Sequence, residues 1–174
     1  MPTHRYTIAL RWTGNLGTGT SGYADYARAH ELGAPGRPVI PGSSDVVFRG
    51  DAARYNPEEL LVGALSACHL LWFLHLCADA GVLLEAYEDS PEGTMEEVPG
   101  EGGQFTSAVL RPRCTVRGEV SPDRIRQLHE RAHALCYIAR SCNFPVRVEP
   151  APVTILAAPQ VTSVTTPSAA PPAG

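Results

Sequence analysis

Between Leu60 and Leu76 the chain is apolar on almost every side, with neither a strict alternation nor a single helical stripe. A helix of that kind is expected to lie inside a protein. Both its ends carry signals. Asn56 suits the N-cap, Pro57 the first helical position, and Glu59 the place from which a carboxylate reaches back to the cap. Gly81 supplies a left-handed stop. The pattern therefore predicts one helix over 56–81. Its length could cross a bilayer at ~1.5 Å per residue. Glu58, Glu59, His69, His75 and Asp79 interrupt the apolar run, which predicts the central helix of a soluble core.

Around this helix the periodicity is mostly that of strands. HRYTIALRWT (4–13) alternates, and GNLGTGTSGYADY reads as a tight hairpin into a second extended piece. ARAHELGAPGRPVIPGSSD reads as a loop with short extended pieces, and VVFRG (46–50) as a short strand. Strands are predicted at 82–90, with a turn at Ser90–Gly93, and at 105–118, with GEGGQ a flexible loop between them. Ser121, Pro122 and Asp123 open a second helix. It carries Ile125, Leu128, Ala132, Leu135, Ile138 and Ala139 at helical spacing and ends at Asn143 to Pro145. PVRVEP and PVTIL (152–156) close the pattern as short strands. Strands gathered in runs around two helices predict an α+β domain over 1–156, with the helices on an antiparallel sheet. The Pro, Ala, Thr and Ser-rich stretch 157–174 predicts a disordered tail.

Composition narrows the function classes. The 14 basic residues, all arginine, face 18 acidic ones, for a net charge of −4. That balance argues against a nucleic-acid surface. The N-terminus has no long apolar segment of the secretory type. An odd number of cysteines, five, scattered through predicted helices and a strand does not resemble a secreted disulfide framework. The expected home is a reducing cytoplasm.

Two cysteines stand out. Cys68 lies at the centre of the apolar helix, and Cys136 about four turns into the second. Two helices packed on one sheet could bring their sulfurs together. A buried cysteine is more often just a small hydrophobe, and a reactive one needs a cation or helix N-terminus to lower its pKa. No basic residue lies inside the first helix. A metal reading stands beside these: His129, His133 and Cys136 fall at i, i+4 and i+7, a ligand mix suited to zinc. Cys77, Cys114 and Cys142 have no partner at useful spacing and are expected to be structural.

The segment NPEELLVGALSACHLLWFLHLCADAG resembles the central-helix motif of the OsmC/Ohr family, in which N-P-E-[EQ]-L leads to an Ala-Cys pair. HALCYIARSCNFPV is similar to that family's second cysteine segment, with its exit through Asn and Pro-Val into a strand. Together the likeness spans 1–156, with features closer to a less-studied branch than to the peroxidases. It implies an intertwined homodimer that reduces organic hydroperoxides without a metal or organic cofactor. Cys68 would be the peroxidatic cysteine and Cys136 the resolving one, with a lipoyl-type or other dithiol as reductant. Glu58 matches a family glutamate that holds an arginine over the reactive sulfur. The peroxidases carry that arginine in the early hairpin, where this chain reads TGNLGTGTSG. Arg49, Arg54 and Arg28 are the candidates to replace it, Arg49 first because its segment is nearest the helix start. The Cys-Pro step of the peroxidases is also replaced, by Cys136–Tyr137. A different reading remains, in which the apolar residues around Cys68 (Leu65, Leu71, Trp72) form a non-enzymatic cleft for a hydrophobic ligand.

Overall fold

The predicted helix forms with its predicted ends. In the computed structural model, which describes residues 2–157, α1 spans Pro57–Asp79. The Asn56 side chain accepts the Glu59 N–H at 2.7 Å, and the Glu59 carboxylate accepts the Asn56 N–H at 3.0 Å. Two of the N–H groups that a helix start leaves unpaired are so satisfied. Gly81 follows the helix at φ 67, a conformation open to a residue without Cβ.

Before α1 lie three short strands, β1 (Ala9–Trp12), β2 (His30–Gly33) and β3 (Ile40–Gly42), in one antiparallel sheet. The β1–β2 connection is no tight hairpin: it runs through residues 13–29 and is pinned by a bridge between Asn15 and Tyr26. The expected strand at 46–50 is a 3₁₀ turn, Val46–Phe48. The Asp45 carboxylate accepts the Val47 N–H and its carbonyl accepts the Phe48 and Gly50 N–H groups, so this aspartate wins over the β-branched pair.

After α1 come β4 (Leu83–Glu88), β5 (Glu92–Val98), β6 (Gly102–Leu110) and β7 (Arg113–Arg117). Residues 92–98, where no separate strand was expected, form β5, and the expected GEGGQ loop shrinks to a turn because β6 already starts at Gly102. The expected single strand at 105–118 is two. Pro112 has no N–H to continue a ladder, and the chain crosses there from one sheet to the other. α2 (Pro122–Leu135), β8 (Val146–Val148) and β9 (Thr154–Leu156) complete the order. One sheet runs β4-β7-β9 and the other β5-β6-β8. The β6–β8 and β7–β9 pairs are parallel, so the sheets are mixed where an antiparallel one was expected. The predicted tail lies, apart from Ala157, outside the described residues.

α1 is less enclosed than its composition implies. Leu65, His69, Phe73 and Cys77, at successive i+4 steps, are its buried residues. Phe73 and Cys77 pack with Cys114 and Val116 of β7 and with Ile125, Leu128 and Ala132 of α2. Leu65 packs with Ala108 and Leu110 of β6. The opposite stripe, Ala64, Ala67, Leu71, Leu74 and Ala78, faces out, with Leu71 65% exposed and Leu74 42%. By length and mean hydropathy (1.9) α1 would span a membrane, yet one face is packed on α2 and the sheets.

Candidate active site

Cys136 does not sit within the second helix as its periodicity implied. α2 stops at Leu135, and Cys136 is its C-cap at φ −65, ψ 110. That turn of the backbone points the sulfur inward and starts a new 3₁₀ turn, Ala139–Ser141. The Ala139 N–H donates to the Cys136 Sγ at 3.4 Å.

The two expected thiols meet. Cys136 is 1% exposed, and burial pushes its pKa up to about 11, with the neighbouring Cys68 thiol adding to the rise. The Ala139 and Ile138 backbones act in the opposite sense. Cys68 is half-buried where Cys136 is enclosed, and both are free thiols. An edge-to-face contact between Trp72 of α1 and Tyr137, 5.6 Å between centroids, ties the Cys136 segment to the helix that carries Cys68. Such pairs contribute roughly 0.5–1.5 kcal/mol beyond their buried area. The Tyr that stands where the peroxidases have Pro therefore has a packing role of its own.

Glu58 and the arginines lie elsewhere. Glu58 is in the first turn of α1 and lines a cleft with Tyr55, Gly93 and Phe105 and another with Phe48 and Met95. Ten residues of helix, roughly 15 Å at 1.5 Å per residue, separate it from Cys68 of the same chain. Arg49 is exposed at φ 64 beyond the 3₁₀ turn, at the same distant end of α1. Arg54 pairs with Asp51 at 3.4 Å. Arg28 is sandwiched between the Tyr23 and Tyr26 rings, 4.3 Å from each. None of the three is bonded to Cys68 within the chain.

The zinc arrangement does not form: among the described residues no three His, Cys, Asp or Glu side chains converge as a metal site. Instead His129 turns to His69, Nδ1 to Nε2 at 3.0 Å, with the rings near coplanar and Phe73 stacked 3.9 Å from His129. Burial first and His133 second lower the His69 pKa to about 4, and burial first and His69 second lower that of His129 to about 3. The pair joins positions 60 apart. A local signal existed for each half, because His69 falls on the Leu65, Phe73, Cys77 stripe and His129 on the Ile125, Leu128, Ala132 stripe. A histidine on a core stripe needs a buried partner. Cys77 and Cys114 are buried together, with pKa values raised by burial, and pack as hydrophobes.

A family model described as OsmC-like protein matches residues 50–151. The chain belongs to the OsmC-like family. Its architecture is similar to that of an OsmC-like protein of unknown function from Vibrio cholerae, with a TM-score of 0.73, 29% identity, and coverage of 86% of this chain and 100% of that one. The organic hydroperoxide resistance protein OhrB of Bacillus subtilis shares the fold at a TM-score of 0.58 and 16% identity, over 84% of this chain and 98% of its own. An uncharacterized Bacillus subtilis protein, YmaD, is 22% identical over 157 residues, which are 86% of this chain and 93% of YmaD. The OsmC-like fold thus carries both thiols of this chain in one place.

Proposed function

We propose that this protein is a thiol peroxidase for organic hydroperoxides, acting as a homodimer in a reducing cytoplasm. The observation that carries the reading is the meeting of Cys68 and Cys136, a half-buried cysteine beside a buried one whose pKa is raised to about 11. In the first step the Cys68 thiolate attacks the outer oxygen of ROOH. The O–O bond breaks, sulfur is oxidised to the sulfenic acid, and the alkoxide leaves with a proton as ROH. The Cys136 sulfur then attacks the sulfenic sulfur, forming the disulfide and releasing water. A dithiol of the lipoyl type reduces it by two exchanges and leaves as its own cyclic disulfide. A high pKa keeps Cys136 protonated and unreactive toward peroxide, so Cys68 is the first to react.

The apolar surface that one chain leaves open supports the dimer. Ala64, Ala67, Leu71, Leu74 and Ala78 repeat at 3 and 4 residues along the outer face of α1, the seam of a helix pair. The β1–β3 sheet carries exposed Leu10 and Trp12. With roughly 15 Å of helix between Glu58 and Cys68, a carboxylate and guanidinium at the thiol come from the second subunit, Glu58 holding Arg49 there. Organic hydroperoxide resistance is named in the description of OhrB, which shares the fold.

The test is stoichiometric. Reduced protein is titrated for thiols before and after one equivalent of cumene hydroperoxide. Loss of two thiols per chain, abolished in Cys68→Ser, is expected. In Cys136→Ser a sulfenic acid trappable by a dimedone probe should accumulate. Unchanged thiols in the native chain would refute the proposal.

A further inference from the structure

α1 and α2 meet through apolar side chains: Phe73 and Cys77 pack with Ile125, Leu128 and Ala132. Apolar contact is nondirectional, and both stripes repeat at helical spacing. A slide of one turn, roughly 5.4 Å, would again set hydrocarbon on hydrocarbon. One contact in this interface has a direction. Nε2 of His69 and Nδ1 of His129, on residues 0% and 1% exposed, share a hydrogen bond of 3.0 Å. Among the described residues no other hydrogen bond or ion pair joins the two helices. Phe73 lies parallel to the His129 ring, with centroids 3.9 Å apart, and fixes the plane of that ring.

Stability is not what this bond adds. The far nitrogens, Nδ1 of His69 and Nε2 of His129, are buried without partners, a cost that two apolar side chains of similar shape would not carry. A buried directional bond instead selects a register. Sliding by one turn would take His129 from His69 to an apolar neighbour and leave both rings unpaired. The thiols lie where that choice matters. Cys68 is the residue before His69, and Cys136 lies seven residues beyond His129, at the end of the same helix. A disulfide needs Cα atoms roughly 4.4–6.8 Å apart, a window narrower than one turn of slide. We infer that the His69–His129 hydrogen bond sets the register of α2 on α1 at which Cys68 and Cys136 meet. The two histidines are then positioning residues for the disulfide step, a step whose use in catalysis rests on the thiol-peroxidase reading.

The experiment leaves peroxide out. In a glutathione buffer the two thiols give two electrons and two protons to oxidised glutathione, which forms the protein disulfide and two molecules of reduced glutathione. The equilibrium constant, read from the Cys68–Cys136 crosslink by peptide mapping, measures how well the thiols are placed. The double variant His69→Leu, His129→Phe should resist urea at pH 7 as the native chain does, while this constant falls by at least about tenfold. His129→Asn, whose amide offers His69 a polar atom near the place of Nδ1, should keep most of the native constant. In the native chain, ring nitrogens of ¹⁵N-histidine should report the shared hydrogen in both the reduced and the disulfide forms, a readout that needs no variant. Four results would each overturn the inference: loss of that hydrogen bond on oxidation, an unchanged constant in the double variant, a constant that falls only together with urea resistance, or an Asn variant that falls as far as the double. Thiols left untouched by cumene hydroperoxide in a chain that otherwise behaves as expected would sink the peroxidase and leave the role of the pair standing.

Discussion

Acidification should unfold this protein through two rings. His69 and His129 titrate near 6.5 when unfolded but near 4 and 3 in the fold, because burial disfavours their charged forms. A base whose folded pKa is depressed stabilises the fold above its unfolded pKa. That contribution is lost as the pH falls, since the unfolded chain then takes up protons that the fold refuses. From pH 6.5 down to about 4, two such groups give a slope of about 3 kcal/mol per pH unit. At pH 4.5 each ring has withdrawn roughly 2.5 kcal/mol, about 5 for the pair, against the usual 5–15 kcal/mol of a folded domain. The groups that face the pair are few. Asp89 raises the His69 pKa and His133 lowers it, while Phe73 stacks without charge. Urea unfolding followed by circular dichroism at pH 7.0, 5.5 and 4.5 measures the loss. The double variant His69→Leu, His129→Phe removes both partners together and strands neither nitrogen. It should keep most of its pH 7 stability at pH 4.5. Equal pH dependence in the variant and the native chain would show that the pair is not the acid-sensitive element.

Three further outcomes follow from the same contacts. Asn56→Ala removes the cap of α1 and should lower stability by about 1 kcal/mol in urea titration, with the helix content of the native state unchanged. Leu65→Ala, at a fully buried site between α1 and β6, should cost about 3 kcal/mol, and a loss under 1 would mean that the space closes up around it. Leu71→Glu with Leu74→Glu places charges on the exposed stripe of α1. Sedimentation should then read a single chain in place of a dimer, whereas an unshifted mass would remove that stripe from the interface.

How much was legible in the sequence depended on the range of the interactions. The ends of α1 were readable because Asn56, Glu59 and Gly81 act on backbone groups within three or four residues of themselves. β8 and β9 appeared where short β-branched runs between prolines placed them. Local signals misled where a side chain outcompeted a propensity. Asp45 wound Val46–Phe48 into a 3₁₀ turn, and Pro112 split one expected strand between two sheets. The helical spacing was right as far as Leu135, but Ile138 and Ala139 kept the apolar period beyond the end of α2, so it gave no sign of the turn at Cys136.

What the chain order alone determined is therefore the two helices with their starts, most of the strands, and the two thiols that a motif singled out. Only the tertiary structure decided which of their side chains meet. His69 found His129 rather than a metal, and Cys136 turned off its helix toward Cys68. Glu58 and Arg49 stayed at the far end of α1 from the sulfur. The physical reason is that hydrophobic burial is nondirectional and fixes which faces turn inward. Hydrogen bonds and charges, which act over a few ångströms, are settled by how those faces come to rest on one another.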